Sequence, residues 1–280
     1  MTTKKYLTKS KFKIALECPR KIFYNDHSKI YDNKKTDDPF LRALARGGFQ
    51  VGELAKIYYE NGNDIKTLDY DEATNCTNKL LEGENVIIFE AAIKSDNLFI
   101  RADILEKKDK TLNLIEVKAK SINPEEENPF YDKRAFKAGY YKIKSDWKPY
   151  LYDIAFQTLV TKRAFPEYLI YPYLYLVNKK AISSVGGLNQ KFFLTRDSSG
   201  RTTVEVKKGT TKKDLGSEIL AKIDVSKEVE LILNGKDLGK KTRKAIGMPS
   251  FEEEVDRWAM KYEKNRSEEH TSELQSPCNL

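Results

Sequence analysis

The chain has 280 residues, 40% of them hydrophobic and 33% charged, enough for one large domain or two small ones around a true core. Its 50 Lys and Arg against 42 Asp and Glu leave a net charge of +8, which fits a polyanionic partner. Two histidines all but exclude histidine zinc sites and Ser-His-Asp catalysis, and three scattered cysteines argue against a disulfide framework. No stretch approaches the length of a membrane span, so a soluble cytoplasmic protein is expected.

Leu7 to Ser10 opens a helical segment in which Phe12, Ile14, Ala15, Ile22 and Phe23 recur at helical spacing. Residues 40–59 carry a second helical pattern, with a bend expected at Gly47-Gly48, and 71–82 a third. Residues 86–93, 99–106 and 112–119 read as an antiparallel meander of three strands. Residues 121–149, with three Pro, an acidic run and many aromatics, read as a long surface loop of the kind that serves as a lid or clamp. A helix over 150–164 and a Tyr-rich strand over 169–177 follow; Pro172 implies an edge or a bend in that strand. Residues 191–195 and 202–207 flank a hairpin signal, 225–233 is a short helix, and Ser250 to Glu253 is a capping box opening a helix to about Lys264.

The most informative segments are 101–104 and 115–118, separated by a polar turn signal at 107–110. A hairpin centred between Asp109 and Lys110 puts Asp103 across from Glu116 and Arg101 across from Lys118. Side chains alternate along a strand, so these four share one face, and Ile100, Ala102, Ile104, Ile115, Val117 and Ala119 share an apolar one. Glu-x-Lys alone is what any solvated strand face carries. Two carboxylates directly opposed, however, repel unless a cation lies between them, and hard oxygen ligands suit Mg²⁺ or Mn²⁺. A turn at Ser95-Asp96 brings Glu90 to the same face as a candidate third acid.

Asp103 followed by Glu116-Val117-Lys118 resembles the core of the PD-(D/E)XK nuclease superfamily, with Ala102 where the motif has proline. The resemblance implies an α/β fold, a restriction-endonuclease-like mixed sheet flanked by helices. It also implies a metal held by Asp103, Glu116 and the backbone carbonyl of Val117, with Lys118 as catalytic lysine. The Cys18-Pro19 segment ending at Tyr24 is similar to the N-terminal segment of RecB-like members. These include CRISPR-associated exonucleases and an uncharacterised bacterial family in which the domain precedes a second, exonuclease-like one. In iron–sulfur members that cysteine is one of four 4Fe-4S ligands, the other three lying downstream of the core. Here Cys76 is misplaced and Cys278 sits in a doubtful tail, so this chain completes no such site. Cys18 would serve only in a longer protein with further cysteines. Residues 152–157 resemble the segment bearing the RecB-like glutamine, although Thr161 stands where a tyrosine is usual. That resemblance assigns Gln157 to orienting the lysine or the water, with Asp153 on the same helix face. Residues 48–53 and 187–192 resemble elements of the uncharacterised family, which makes Glu53 its helical acidic residue.

Residues 266–280 lack hydrophobic periodicity, and 266–276 look like the translation of a sequencing-adapter oligonucleotide. The expected organisation is a nuclease-like domain over 1–265, with an N-terminal helical part and a core at about 84–180, then a non-native tail that packs against nothing. The natural protein is expected to continue beyond residue 265 into a further domain. The expected function is that of a Mg²⁺- or Mn²⁺-dependent deoxyribonuclease of exonuclease type. The alternatives are a non-catalytic nucleic-acid-binding module and an inactive fragment of a larger nuclease. The Lys- and Tyr-rich segment 131–150 is expected to contact DNA by phosphate pairing and base stacking.

Overall fold

The computed structural model describes residues 5–27, 30–31, 38–197 and 202–264. The tail and Cys278 lie outside the described residues, as does the expectation that the tail packs against nothing.

The N-terminal helical pattern is two helices preceded by a strand. Leu7–Thr8 forms β1, and Thr8 caps α1 (Lys9–Glu17) by accepting from the Lys11 N–H. Cys18 is extended, with φ −166° and ψ 124°, because the proline after it disfavours helical backbone. Pro19 then opens α2 (Pro19–Asp26), where its missing N–H costs nothing. Asp38 caps α3 (Pro39–Tyr58) by accepting from the Phe40 and Leu41 N–H groups. This helix is continuous through Gly47-Gly48, where a bend was expected; glycine weakens a helix but keeps its N–H. After β2 (Asn63–Asp64), Asp69 caps α4 (Tyr70–Leu80) in the same way.

The meander is β3 (Asn85–Ser95), β4 (Leu98–Lys108) and β5 (Thr111–Ile122). After the short α5 (Lys133–Lys137), α6 (Lys148–Ala164) carries the chain over to β6 (Leu169–Asn178), parallel to β5. β7 (Phe192–Arg196) and β8 (Thr202–Val206) form a separate antiparallel ribbon. β9 (Leu220–Asp224), α7 (Ser226–Leu233) and α8 (Phe251–Lys264) complete the described chain. The capping box of α8 is formed: the Glu253 N–H donates to Ser250 Oγ at 3.1 Å and the Ser250 N–H to Glu253 Oε2 at 2.7 Å.

The main sheet runs β2-β3-β4-β5-β6-β9, with β1 added to β4, so the fold is mixed α/β with parallel and antiparallel strands flanked by helices. β6 is not an edge strand. Pro172 precedes its first pair with β9, Tyr173 with Asp224, so it falls where β6 has no β9 partner.

Both faces of the sheet are covered. Leu105, Leu112 and Leu114 pack in the larger core with Ile154 and Phe156 of α6. Ile104, Ile115, Val117 and Tyr175 pack in a second core with Leu54, Ala55 and Tyr58 of α3. The apolar face read from the sequence is therefore real for Ile104, Ile115 and Val117. Ile100 and Ala102 belong to the larger core, and Ala119 is exposed.

The segment 121–149 is anchored rather than loose. Phe130, Tyr131, Ile143 and Trp147 are buried, and the Tyr131 hydroxyl donates to Glu228 Oε1 at 2.6 Å. Of the aromatic rings in 131–150, Tyr131 and Trp147 are buried, Phe136, Tyr141 and Tyr150 are half-buried, and Tyr140 is exposed. The Lys120 ammonium already lies 4.6 Å from the Trp147 ring centre. Among the described residues, no helix is long and apolar enough to cross a membrane.

Candidate active site

The β4–β5 ladder follows the expected register only from Lys108↔Thr111 to Ile104↔Ile115. Beyond that the strands part. β1 takes up the same edge of β4 further along, pairing Leu7 with Leu98 and Thr8 with Phe99. Residues 100–103 of β4 are left without a strand partner on that edge, at a fork between β5 and β1. Asp103 fills the break with its side chain, its Oδ2 accepting the Val117 N–H at 2.7 Å. The pairing of Arg101 with Lys118 expected from an ideal hairpin does not form. Arg101 turns away and donates to the Ile65 and Thr67 carbonyls at 2.6 and 2.8 Å.

Glu116 is the centre of the cluster and is fully buried. Its Oε1 accepts from two ammoniums, Lys118 at 2.5 Å and Lys9 at 2.6 Å. Its Oε2 accepts from Gln157 Nε2 at 2.7 Å. Lys118 also lies 3.5 Å from Asp153 Oδ2. Asp153 and Gln157, one turn apart on α6, share a face as their spacing led us to expect; Asp153 pairs with the lysine, while Gln157 donates to Glu116 rather than to the lysine it was expected to orient. The Gln157 Oε1 is buried without a hydrogen-bond partner.

A cleft of about 410 Å³ opens over this cluster between α3 and the sheet. Asp103, Glu116, Val117 and Lys118 line it, with Glu53, Glu90, Lys9 and Lys56. Glu53 pairs with Lys56 at 3.0 Å, and Glu90 with Arg101 at 3.4 Å. The β3–β4 register, Ser95↔Leu98, is displaced from the expected one by two residues, which keeps every side chain on its face. It brings Glu90 opposite Asp103, between the pairs Phe89↔Ile104 and Ala91↔Ala102. Glu90 has φ +54°, a left-handed conformation that is uncommon for a non-glycine residue in mid-strand.

The charges are strongly coupled. Burial, and then the negative charge of Glu116, push the Asp103 carboxyl up to about 7. Burial alone would also raise Glu116, but the ammoniums of Lys118 and Lys9 outweigh it and hold the acid well below the usual carboxylate range. Burial works against the charge of Lys118 and of Lys9, yet Glu116 chiefly overcomes it and keeps both above the usual lysine value. Among the described residues, no three His, Cys, Asp or Glu side chains converge into a ready metal cage. Glu53 and Glu90 line the cleft but do not join Asp103 and Glu116 in one.

Lys9 and Lys56 are the residues that sequence reasoning missed. Lys9 stands 107 positions from Glu116, and nothing in its neighbourhood marks it beyond its place at the start of a helix. Lys56 sits three residues after Glu53 on α3, a spacing that could have drawn notice. Cys18 is nearly buried where α1 meets α2, and Cys76 is an exposed free thiol.

No protein-family model matches the chain, and a comparison with curated proteins finds no match.

Proposed function

We propose that the cleft is the active site of a Mg²⁺- or Mn²⁺-dependent nuclease acting on DNA. The observation that carries this reading is the fork itself. It brings two carboxylates, the half-buried Asp103 and the buried Glu116, beside the ammonium of Lys118 at the floor of an open cleft. Burial first, and repulsion from Glu116 second, raise the Asp103 carboxyl, and a bound cation would offset both. Mg²⁺ typically takes one or two carboxylates and fills its remaining positions with water and substrate phosphate. Asp103 and Glu116, helped by the carbonyl of Val117, fit that donor set without a third acid. When bound, the ion would lower the pKa of a water and offset charge on the scissile phosphate.

The chain's own residues do the rest. Lys118, fixed between Glu116 and Asp153, holds the attacking water or a developing anionic oxygen as a compact point charge. Gln157 fixes the far oxygen of Glu116 and so aims the near one at the cluster. Lys9 and Lys56 add positive charge along the cleft for a phosphate backbone. The RecB-like resemblance favours an exonuclease in the cytoplasm, and an iron–sulfur cluster at Cys18 only in a longer protein.

One observation favours a second reading, a nucleic-acid-binding module without hydrolysis: Glu116 Oε1 is already taken by two lysines. Incubation with linear and circular DNA in Mg²⁺ or Mn²⁺, with and without EDTA, separates the two. Cleavage of linear DNA that EDTA stops, and that Asp103→Ala and Lys118→Ala abolish without loss of DNA binding, is the expected result. Binding without cleavage under every condition would favour the module. Equal cleavage by all three proteins would sink the assignment of the site.

A further inference from the structure

Glu116 Oε1 receives two lysines of different standing. Lys118 comes from the same strand and is tied on its other side by Asp153. Lys9 comes from the far side of the fork, and among the described residues no second acid lies within ion-pair distance of its ammonium. Its side chain is about one-fifth exposed and lines two cavities. One is the cleft over Asp103. The other, of about 350 Å³, lies between α1 and α6 and is also lined by Lys13 and Lys148. Its backbone is fixed, because Leu7 and Thr8 pair with β4 and Thr8 caps the helix that Lys9 opens. Only the long flexible stem can move.

A divalent cation shared by Asp103 and Glu116 would need the oxygen that Lys9 now holds, since Gln157 already donates to the other. Two ammoniums already share that oxygen, and a third cation there would add repulsion that the departure of Lys9, held by no second acid, relieves. We infer that Lys9 is an exchangeable counter-ion: it neutralises Glu116 in the metal-free protein and passes to a DNA phosphate oxygen when Glu116 turns to the metal. This rests on the nuclease reading of the cleft and adds a substrate-binding role that alternates with a structural one. Lys118 cannot exchange in this way, because Asp153 retains it.

The exchange predicts three effects of Lys9→Met that no single simpler role gives together. Mn²⁺ binding without DNA, read by titration calorimetry, should tighten by about fivefold or more, because the internal competitor is gone. Binding of a hydrolysis-resistant phosphorothioate oligonucleotide should weaken by about fivefold or more when Mn²⁺ is present. The same oligonucleotide in EDTA should bind wild type and variant alike, since Lys9 is then engaged with Glu116. Lys9→Arg should behave as wild type in the DNA arms. A fixed surface cation would weaken DNA binding equally with and without metal, and that result would overturn the proposal. So would unchanged or weaker Mn²⁺ affinity in the variant. A purely structural lysine would lower the melting temperature without separating the two DNA arms, which would overturn it as well. The metal arm uses neither DNA nor turnover, so it can fail while cleavage persists. Absence of Mn²⁺ binding in both proteins would instead remove the nuclease reading on which the inference stands.

Discussion

The amide of Gln157 donates to the carboxylate of Glu116 at 2.7 Å, both groups fully buried. The helix that makes the β5–β6 crossover therefore also sets the orientation of the central acid of β5. Replacing Gln157 with Leu should remove that donor and leave one Glu116 oxygen unsatisfied. The expected cost is about 1–3 kcal/mol of stability by chemical denaturation, with cleavage falling about 10–100-fold. A variant as active as wild type would show that Glu116 does not depend on α6 for its aim.

The pH dependence follows from Asp103. In the metal-free fold its carboxyl is pushed up to about 7, by burial first and by Glu116 second. An unfolded aspartate titrates near about 3.9, so between the two values the folded protein holds a proton that the unfolded chain has released. This group therefore favours the fold most at low pH, and its contribution is lost as pH rises through about 7. The metal-free melting temperature should drop across that window more in wild type than in Asp103→Asn. Mn²⁺ affinity should rise with pH up to about 7 and then level off, because metal and proton compete for Asp103. An affinity independent of pH below neutrality would count against Asp103 as a ligand.

Helix α3 carries glycines at positions where the protein has room for more. A Cβ built on Gly47 or Gly52 meets nothing within 4 Å, yet only Gly52 lines the cleft. Glycine inside a helix costs about 1 kcal/mol relative to alanine. Gly47→Ala and Gly52→Ala should each raise stability by about 0.5–1 kcal/mol. Gly52→Ala alone should weaken DNA binding, measured by fluorescence anisotropy, because its methyl enters the cleft. Equal DNA affinity in both variants would show that the substrate does not pass along this helix.

Away from the cleft, Arg243 is buried and donates to Glu254 Oε2 at 2.8 Å and to the Tyr152 hydroxyl at 2.7 Å. The Tyr152 hydroxyl in turn donates to Asp237 Oδ2 at 2.6 Å. Arg243→Met should cost about 3–5 kcal/mol, because it strips the cation from buried acids. Cleavage per folded molecule should be unchanged. A loss below about 1 kcal/mol would mean that water reaches this network and replaces the guanidinium.

The sequence made some of this legible and hid the rest for physical reasons. Asp103, Glu116 and Lys118 could be placed near one another because a hairpin is a local object: its turn fixes the register up to Ile104↔Ile115, one position short of the acids. Gln157 was singled out by the resemblance of 152–157 to the RecB-like glutamine segment, and helical spacing placed Asp153 on its face. The fork escaped because a carboxylate substituting for a backbone partner leaves no periodic trace. β1 escaped because two residues make no pattern, and β9 because its alternation is short. The inward anchoring of 121–149 by Phe130, Tyr131 and Trp147 escaped because aromatic rings in a long connection carry no periodic mark of the side they face. Lys9 escaped because a contact across 107 residues leaves no mark on either neighbourhood.

That same separation has a consequence for biosynthesis. A ribosome releases Lys9 107 residues before Glu116. At about 5–20 residues per second, the lysine waits roughly 5–20 s for the acid it will neutralise. The meander can close on local turns, whereas β1 must thread back against β4 once the fork exists, closing the longest loop of the cluster. The N-terminal segment thus makes the most sequence-distant contact of the site. A chain clipped after Lys9 could still assemble its sheet, but around an acid left with Lys118 and Gln157 alone.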